Sequence, residues 1–136
     1  MRLISSKYSD AGLNFGLLLI RVIAGSTMAV NHGLKKINNF DAIIQKGFID
    51  PFGIGMKASL GLTIFAEVFC AILLVAGLLT RLATIPLIIA MSVAFFIAHH
   101  GQLFGDGESP ALFLFIFIAL FFTGPGKYSI DKMIGK

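Results

Sequence analysis

Apolar residues are concentrated in four long runs along this chain, at residues 11–30, 58–79, 82–98 and 109–123. A run of about 20 residues forms a helix roughly 30 Å long, which matches the hydrocarbon core of a bilayer. The last run is the shortest, but Glu108, Ser109 and Pro110 are suited to its first helical turn, where the missing N–H of proline costs nothing. The pattern predicts four transmembrane helices.

The long segment between the first two runs is neither uniformly apolar nor uniformly polar. It contains FDAIIQKGFIDPFGIG, an amphipathic piece that ends at Gly47 and is followed by a turn rich in Pro and Gly. A disordered loop is the alternative, but the Phe and Ile content favours an interfacial or reentrant element. The predicted fold class is therefore all-α, a four-helix transmembrane bundle with an interfacial or reentrant element between helices 1 and 2. A separate prediction is that residues 1–136 form one domain.

Composition supports lipid as the solvent for much of the surface. Hydrophobic residues make up 57% of the chain and charged residues only 13%, whereas a soluble domain carries about 25% charged residues. No nucleic-acid-binding motif accompanies the net charge of +4, so no nucleic-acid partner is expected. Cys70 is the single cysteine, so an intrachain disulfide and a CxxC redox pair are excluded. Because it lies inside an apolar run, we expect Cys70 to be a packing residue.

Basic residues indicate the orientation of the four helices. One side of the membrane would collect Arg2, Lys7, Arg81, Lys127, Lys132 and Lys136, and the other Lys35, Lys36, Lys46 and Lys57. Because basic residues near helix ends favour the cytoplasmic side, both termini are predicted to be cytoplasmic.

Two charged residues fall inside the apolar runs. Arg21 is near the middle of the first run and Glu67 near the middle of the second. Each would cost about 2.5–3.5 kcal/mol if it faced lipid alone. Since successive helices are antiparallel, the two residues are expected at the same depth, and the sequence predicts an Arg21–Glu67 ion pair. Such a pair either fixes helix register or lines a ligand pocket, and the sequence leaves both readings open.

A polar face continues from Arg21 along the first helix. Arg21, Gly25, Met28, His32 and Lys36 recur at helical spacing. His32 is expected at the non-cytoplasmic interface. There it would meet a second group of polar residues: His99, His100 and Glu108. This convergence could hold a quinone or another small head group, or provide ordinary hydrogen bonds. No metal site is predicted, and haem is disfavoured, because adjacent histidines on a helix point about 100° apart.

The combination of motifs resembles one family. RVIAGSTMAVNHGLKK, IFAEVFCAILLVAGLLTRLA, AHHGQLFGDGESPALFLF and FTGPGKYSID, which together extend over almost the whole chain, are similar to the DoxX family of small bacterial membrane proteins. The resemblance implies a multi-pass protein of the bacterial inner membrane, related to subunits of quinone-linked oxidation. The family's polar pattern corresponds to Arg21, His32, Gly33, Lys36, Glu67, Arg81 and Glu108.

Three functions are compatible with this pattern. The first is a small subunit or accessory of a quinone-linked membrane redox system that binds a quinone along Arg21, Glu67 and His32; the wider predicted ligand-binding set adds Gly25, Lys36, His99, His100 and Glu108. The second is a non-catalytic scaffold or assembly factor with a protein partner in a membrane complex. The third is a carrier of protons or small molecules, which would require a homo-oligomer because four short helices leave little room for alternating access in a monomer. No residue can be assigned a catalytic role from the sequence.

Overall fold

The computed structural model describes residues 2–136 and confirms the predicted fold class. Within these residues the regular structure is entirely helical. The helices are α1 (Asp10–Asn38), α2 (Phe40–Lys46), α3 (Met56–Ala76), α4 (Thr80–Ala98), α5 (Glu108–Thr123) and α6 (Ile130–Met133). Helices α1, α3 and α4 are long and apolar enough to cross a membrane, and α5 is a shorter apolar helix.

The bundle has an apolar core, as a soluble bundle has, but its outer surface is apolar as well. Large apolar side chains point outward, with Ile23 63%, Leu82 62% and Phe122 73% exposed, whereas Arg21 and Glu67 are only 1% and 2% exposed. Exposed apolar surface on this scale is stable only when lipid covers it. The protein is therefore an integral membrane protein whose polar groups lie between its helices.

Helix α1 extends well past the apolar run that predicted it. The run ends at Val30, but the helix continues to Asn38. At its end, both the backbone N–H and the side chain of Asn39 donate to the Lys35 carbonyl, at 3.1 and 2.8 Å. The polar residues of NHGLKK leave the apolar region without breaking the helix.

Two glycines set the position of α1 against α3. A Cβ on Gly25 would lie 2.9 Å from the Ala71 carbonyl oxygen, and one on Gly33 would lie 3.0 Å from the backbone of Glu67. Glycine at both positions lets the two backbones approach closely, as small residues do between membrane helices. The contact places Gly25 opposite Ala71 and Gly33 opposite Glu67.

Three helices contain a wide turn with π-type hydrogen bonding. These turns are Met28–Leu34 in α1, Phe65–Cys70 in α3 and Val93–Ala98 in α4. At the end of α4, for example, the His99 N–H donates to the Ala94 carbonyl at 3.0 Å. Such turns often mark functional places in a helix, and the turn in α3 contains Glu67.

The α3–α4 hairpin is closed by a tight turn at Gly77. Gly77 has a φ of +71°, a conformation that glycine adopts without steric cost. The Gly77 N–H donates to the Leu74 carbonyl at 3.1 Å, and the Leu78 N–H donates to the Leu73 carbonyl at 2.9 Å. These two hydrogen bonds form a Schellman motif, which ends α3. The hairpin thus brings the end of α3 next to the start of α4.

Candidate functional site

Arg21 binds backbone carbonyl groups at one end of the bundle. Its guanidinium donates to Pro125 O at 2.5 Å, to Tyr128 O at 2.6 Å and to Val75 O at 3.4 Å. Val75 lies in the last turn of α3, where carbonyl groups lack helical partners, and the other two carbonyls belong to the irregular chain after α5. Arg21 therefore satisfies acceptors that would otherwise be unpaired in an apolar environment.

Residues 124–136, here called the closing segment, are held at the same end by further polar contacts. The Asp131 carboxylate accepts from the Leu79 N–H at 2.7 Å and from the Thr80 N–H at 2.9 Å, and so caps the N-terminus of α4. Burial acts to raise the pKa of Asp131, but the hydrogen bonds from Thr80 and Leu79 and the positive charge of Lys136 together lower the pKa below its usual value. Arg81 donates to the carbonyls of Phe121 and Phe122 at the end of α5.

The Arg21–Glu67 ion pair predicted from the sequence does not form. Arg21 lies opposite Val75, eight residues beyond Glu67 along α3, which is about 12 Å of helix. The prediction placed Arg21 at the centre of a helix ending at Val30. Because α1 continues to Asn38 and the glycine contacts fix its register, Arg21 is displaced toward the end where the closing segment lies.

Glu67 instead pairs with Lys36, one of the predicted ligand-binding residues. The Lys36 Nζ atom lies 2.7 Å from Glu67 Oε2, and their side chains are 22% and 3% exposed. Among residues 2–136, this is the one salt bridge within 4 Å. The pair forms where Gly33 brings α1 against the backbone of Glu67, so the ion pair and the close helix contact occur together.

An apolar cavity of about 380 Å³ lies beside this pair, between α3, α4 and the segment before α3. Its walls include Phe48, Leu62, Pro86 and Ile89. Four polar side chains belong to residues that line it: Lys36, Ser59, Thr63 and Glu67. A cavity of this volume with few polar groups is typical of a small-molecule site.

The loop at residues 47–55 forms one wall of the cavity and is organised by Asp50. The Asp50 carboxylate accepts from the Ser59 hydroxyl at 2.7 Å, from the Gly55 N–H at 2.9 Å and from the Ile54 N–H at 3.0 Å. The Ser59 hydrogen bond, followed by those from the backbone, lowers the pKa of Asp50. The carboxylate thus remains ionised at neutral pH and ties the loop to the first turn of α3.

The remaining residues of the predicted ligand-binding set do not line this cavity. Gly25 packs against α3. The His32 ring makes an edge contact with Phe113, 5.6 Å between centroids. Glu108 lines a separate open groove between α1 and α5. His99 and His100 follow the end of α4, where His100 is exposed. Within residues 2–136, no group of three His, Cys, Asp or Glu side chains is arranged to hold a metal ion.

Sequence reasoning missed the cavity itself. Ser59 and Thr63 gave no signal, because hydroxyl residues in an apolar helix commonly bond to their own backbone. A clue was nevertheless present in the loop: Asp50 and Ser59 lie on either side of Pro51 and two glycines, a composition typical of an ordered turn. Phe48, Ile49 and Phe52 in that loop supply apolar wall, in keeping with the predicted reentrant or interfacial element.

Comparison with known proteins gives a consistent family. The DoxX family model matches residues 16–100. Inner membrane protein YphA of Escherichia coli K12 is 30% identical over 126 residues, 85% of this chain and 89% of that protein. An uncharacterized protein of Haemophilus influenzae Rd is 28% identical over 137 residues, 96% of this chain and 90% of that protein. No solved structure matches the chain significantly. Because the family model covers well over half of its residues, the chain belongs to the DoxX family.

Proposed function

We propose that the protein binds a small amphipathic molecule of the quinone class within the membrane, as a small subunit or accessory of a quinone-linked redox system. The observation that carries this proposal is the apolar cavity beside the buried Lys36–Glu67 pair. An aromatic head group would occupy the apolar space, and its oxygen atoms would meet the ion pair. The proposed binding residues are therefore Lys36 and Glu67, whereas the sequence predicts a binding face of Arg21, Glu67 and His32.

Burial of the pair supports a role in binding. Glu67 is 2% exposed in the protein, and charged groups within membrane helices are rare and are frequently associated with function. A purely structural pair would be expected to pack against apolar side chains on every side. Here both members border an open volume that is large enough for a ring.

The protein's place in the cell follows from its family and its charges. We place it in the bacterial inner membrane, the location that the name of the Escherichia coli relative gives for that protein. Both termini are assigned to the cytoplasm because Arg81 and the basic residues of the closing segment lie on their side. The cavity, at the other end of α1 from the closing segment, then opens nearer the outer face of that membrane.

A cavity-filling variant tests the proposal. Ala94 lines the cavity, so Ala94→Phe should occupy the ligand's space without altering any charge. Purified protein in lipid nanodiscs would be titrated calorimetrically with a short-chain quinone analogue, offered in its oxidised and in its reduced form. We expect at least one form to bind, and Ala94→Phe to weaken that binding about tenfold or more, equivalent to about 1.4 kcal/mol.

Ala119→Phe is the matched control, because Ala119 lies on the exposed side of α5 and outside the cavity lining. It should bind like the unmodified protein. If neither form of the analogue binds, or if both variants bind as tightly as the unmodified protein, the cavity is not a quinone-class site. A stoichiometric membrane partner recovered from such a protein would then favour the scaffold function.

The carrier function was suggested by the charges inside the apolar runs. Both charges have partners within the protein: Arg21 binds three backbone carbonyl groups, and Glu67 binds Lys36. The scaffold function keeps one structural feature, the groove of Leu19, Ile23 and Phe113 between α1 and α5. That groove is lined mostly by apolar residues and contains no ion pair. The cavity beside Lys36 and Glu67 therefore supports the quinone-binding function more directly than the groove supports a scaffold function.

A further inference from the structure

The polar groups around the cavity are unequally divided between hydrogen-bond donors and acceptors. Thr63 Oγ1 donates its proton to the Ser59 carbonyl at 2.9 Å, and Ser59 Oγ donates its proton to Asp50 Oδ1 at 2.7 Å. A hydroxyl group has one proton to donate and two lone pairs. Both hydroxyl groups can therefore only accept hydrogen bonds from a ligand.

Glu67 adds a further acceptor. Its Oε2 atom accepts from Lys36 Nζ at 2.7 Å, while no side chain or backbone group of residues 2–136 donates to Oε1. An ionised carboxylate has about four lone-pair positions and no proton. The Glu67 side chain lines the cavity and is only 3% exposed, so a ligand is the natural source of the missing donor.

Lys36 is the one lining side chain that can donate to a ligand. Its ammonium group has three N–H bonds, and one of them is directed to Glu67. The lining side chains thus offer three acceptors, on Ser59, Thr63 and Glu67, against one donor group on Lys36. A head group with carbonyl oxygens alone could be satisfied at Lys36 only, whereas a head group with hydroxyls could also donate to Glu67.

From this imbalance we infer that the cavity selects a ligand whose polar head carries hydroxyl groups, with Glu67 Oε1 accepting from one hydroxyl and Lys36 Nζ donating to an oxygen of the same head. The inference rests on the proposed function and narrows it: within the quinone class, the bound form is the hydroquinone. Its ring occupies the apolar part of the cavity, and its two hydroxyl groups can donate to two of the three acceptors that a quinone would leave unpaired.

The preference can be measured on the unmodified protein. Three compounds with the same ring and side chain would be compared in nanodiscs under anaerobic conditions: the hydroquinone, the quinone and the dimethyl ether of the hydroquinone. The ether retains the shape but has no O–H bond. We expect the hydroquinone to bind at least about tenfold more tightly than either of the others, a difference of about 1.4 kcal/mol.

Glu67→Gln replaces one accepting carboxylate oxygen with a donating NH₂ group, and Glu108→Gln makes the same chemical change at an exposed position outside the cavity. Glu67→Gln should reduce the preference for the hydroquinone to about threefold or less, and Glu108→Gln should leave it unchanged. Equal binding of all three compounds to the unmodified protein, or tighter binding of the quinone, would overturn the inference while the proposed function stands. Failure of all three compounds to bind would remove both.

Discussion

At the scale of single residues, the two charges inside the apolar runs have different partners and different roles. Arg21 binds carbonyl groups where two helices end. Glu67 binds Lys36 beside a cavity. The free-energy cost of placing a charge in the membrane explains why each charged residue has a partner, but it does not determine which residue is the partner. A guanidinium with five donors can be satisfied by backbone oxygens alone, whereas a carboxylate needs donors, and Lys36 is the donor within reach.

Arg21→Gln tests the stabilising role of the carbonyl contacts. Glutamine is shorter and uncharged, so the carbonyl groups of Pro125 and Tyr128 would lose their donors. Hydrogen bonds to charged groups contribute about 1.5–3 kcal/mol each, and we expect the variant to lose roughly 2–4 kcal/mol of stability. The detergent-purified protein would be heated to a series of temperatures, and the fraction that remains folded would be measured by size-exclusion chromatography. The shift in the unfolding temperature reports the loss of stability.

Arg81→Gln provides the matched control for this prediction. Arg81 also donates to two backbone carbonyls, of Phe121 and Phe122, but it is exposed. Substitution at an exposed position usually changes stability by no more than about 0.5 kcal/mol, so Arg81→Gln should unfold close to the unmodified protein. Equal losses in the two variants would contradict a special role for burial at Arg21.

At the scale of helices, hydropathy was sufficient to predict the elements but not their register. The four apolar runs correspond to the three long helices α1, α3 and α4 and to the shorter apolar helix α5, because a membrane span requires about 20 apolar residues. The first apolar run ends at Val30, whereas α1 continues to Asn38. Hydropathy does not show this continuation, since polar residues can extend a helix beyond the bilayer, but the helical spacing of His32 and Lys36 indicates it. That extension is what brings Lys36 to Glu67.

The register between α1 and α3 depends on Gly25 and Gly33, and these residues carry no hydropathy signal of their own. Small residues indicate that helices approach closely, but they do not identify the residues they meet. The sequence therefore placed Glu67 correctly in a polar, buried environment and assigned it the wrong partner. The cavity wall at residues 47–55 required the hydrogen bonds of Asp50, which no periodic pattern reveals.

Gly33→Ala should disturb this register. The added Cβ would lie 3.0 Å from the backbone of Glu67, so α1 and α3 would have to separate. Overpacking of this kind costs about 1–3 kcal/mol, which unfolding in detergent would detect. Gly16→Ala is the control on the same helix: nothing lies within 4 Å of its added Cβ, and we expect it to be neutral or stabilising by up to about 1 kcal/mol. If Gly33→Ala and Gly16→Ala destabilised the protein equally, the close approach of α1 and α3 at Gly33 would not be the cause of the lost stability.

At the scale of the whole molecule, the two ends of the bundle differ. One end is closed by the closing segment, whose backbone is bound by Arg21 and whose Asp131 caps α4. The other end contains the wide helical turns, the Lys36–Glu67 pair and the cavity. A tightly bonded end and a more open end are consistent with the proposed ligand entering from one side of the bundle or from the adjoining lipid.

The orientation of these ends in the membrane can be tested by cysteine labelling. Cys70 is only 3% exposed, so the unmodified protein should react little with a maleimide that cannot cross membranes. Single cysteines would be introduced as Phe104→Cys, in the loop before α5, and as Lys132→Cys, in the closing segment; both positions are exposed. Because basic residues favour the cytoplasmic side, we expect Phe104→Cys to be labelled in intact cells whose outer membrane has been permeabilised, and Lys132→Cys only after lysis. The opposite labelling pattern would invert the protein and direct the open end, with Lys36 and Glu67, toward the cytoplasm.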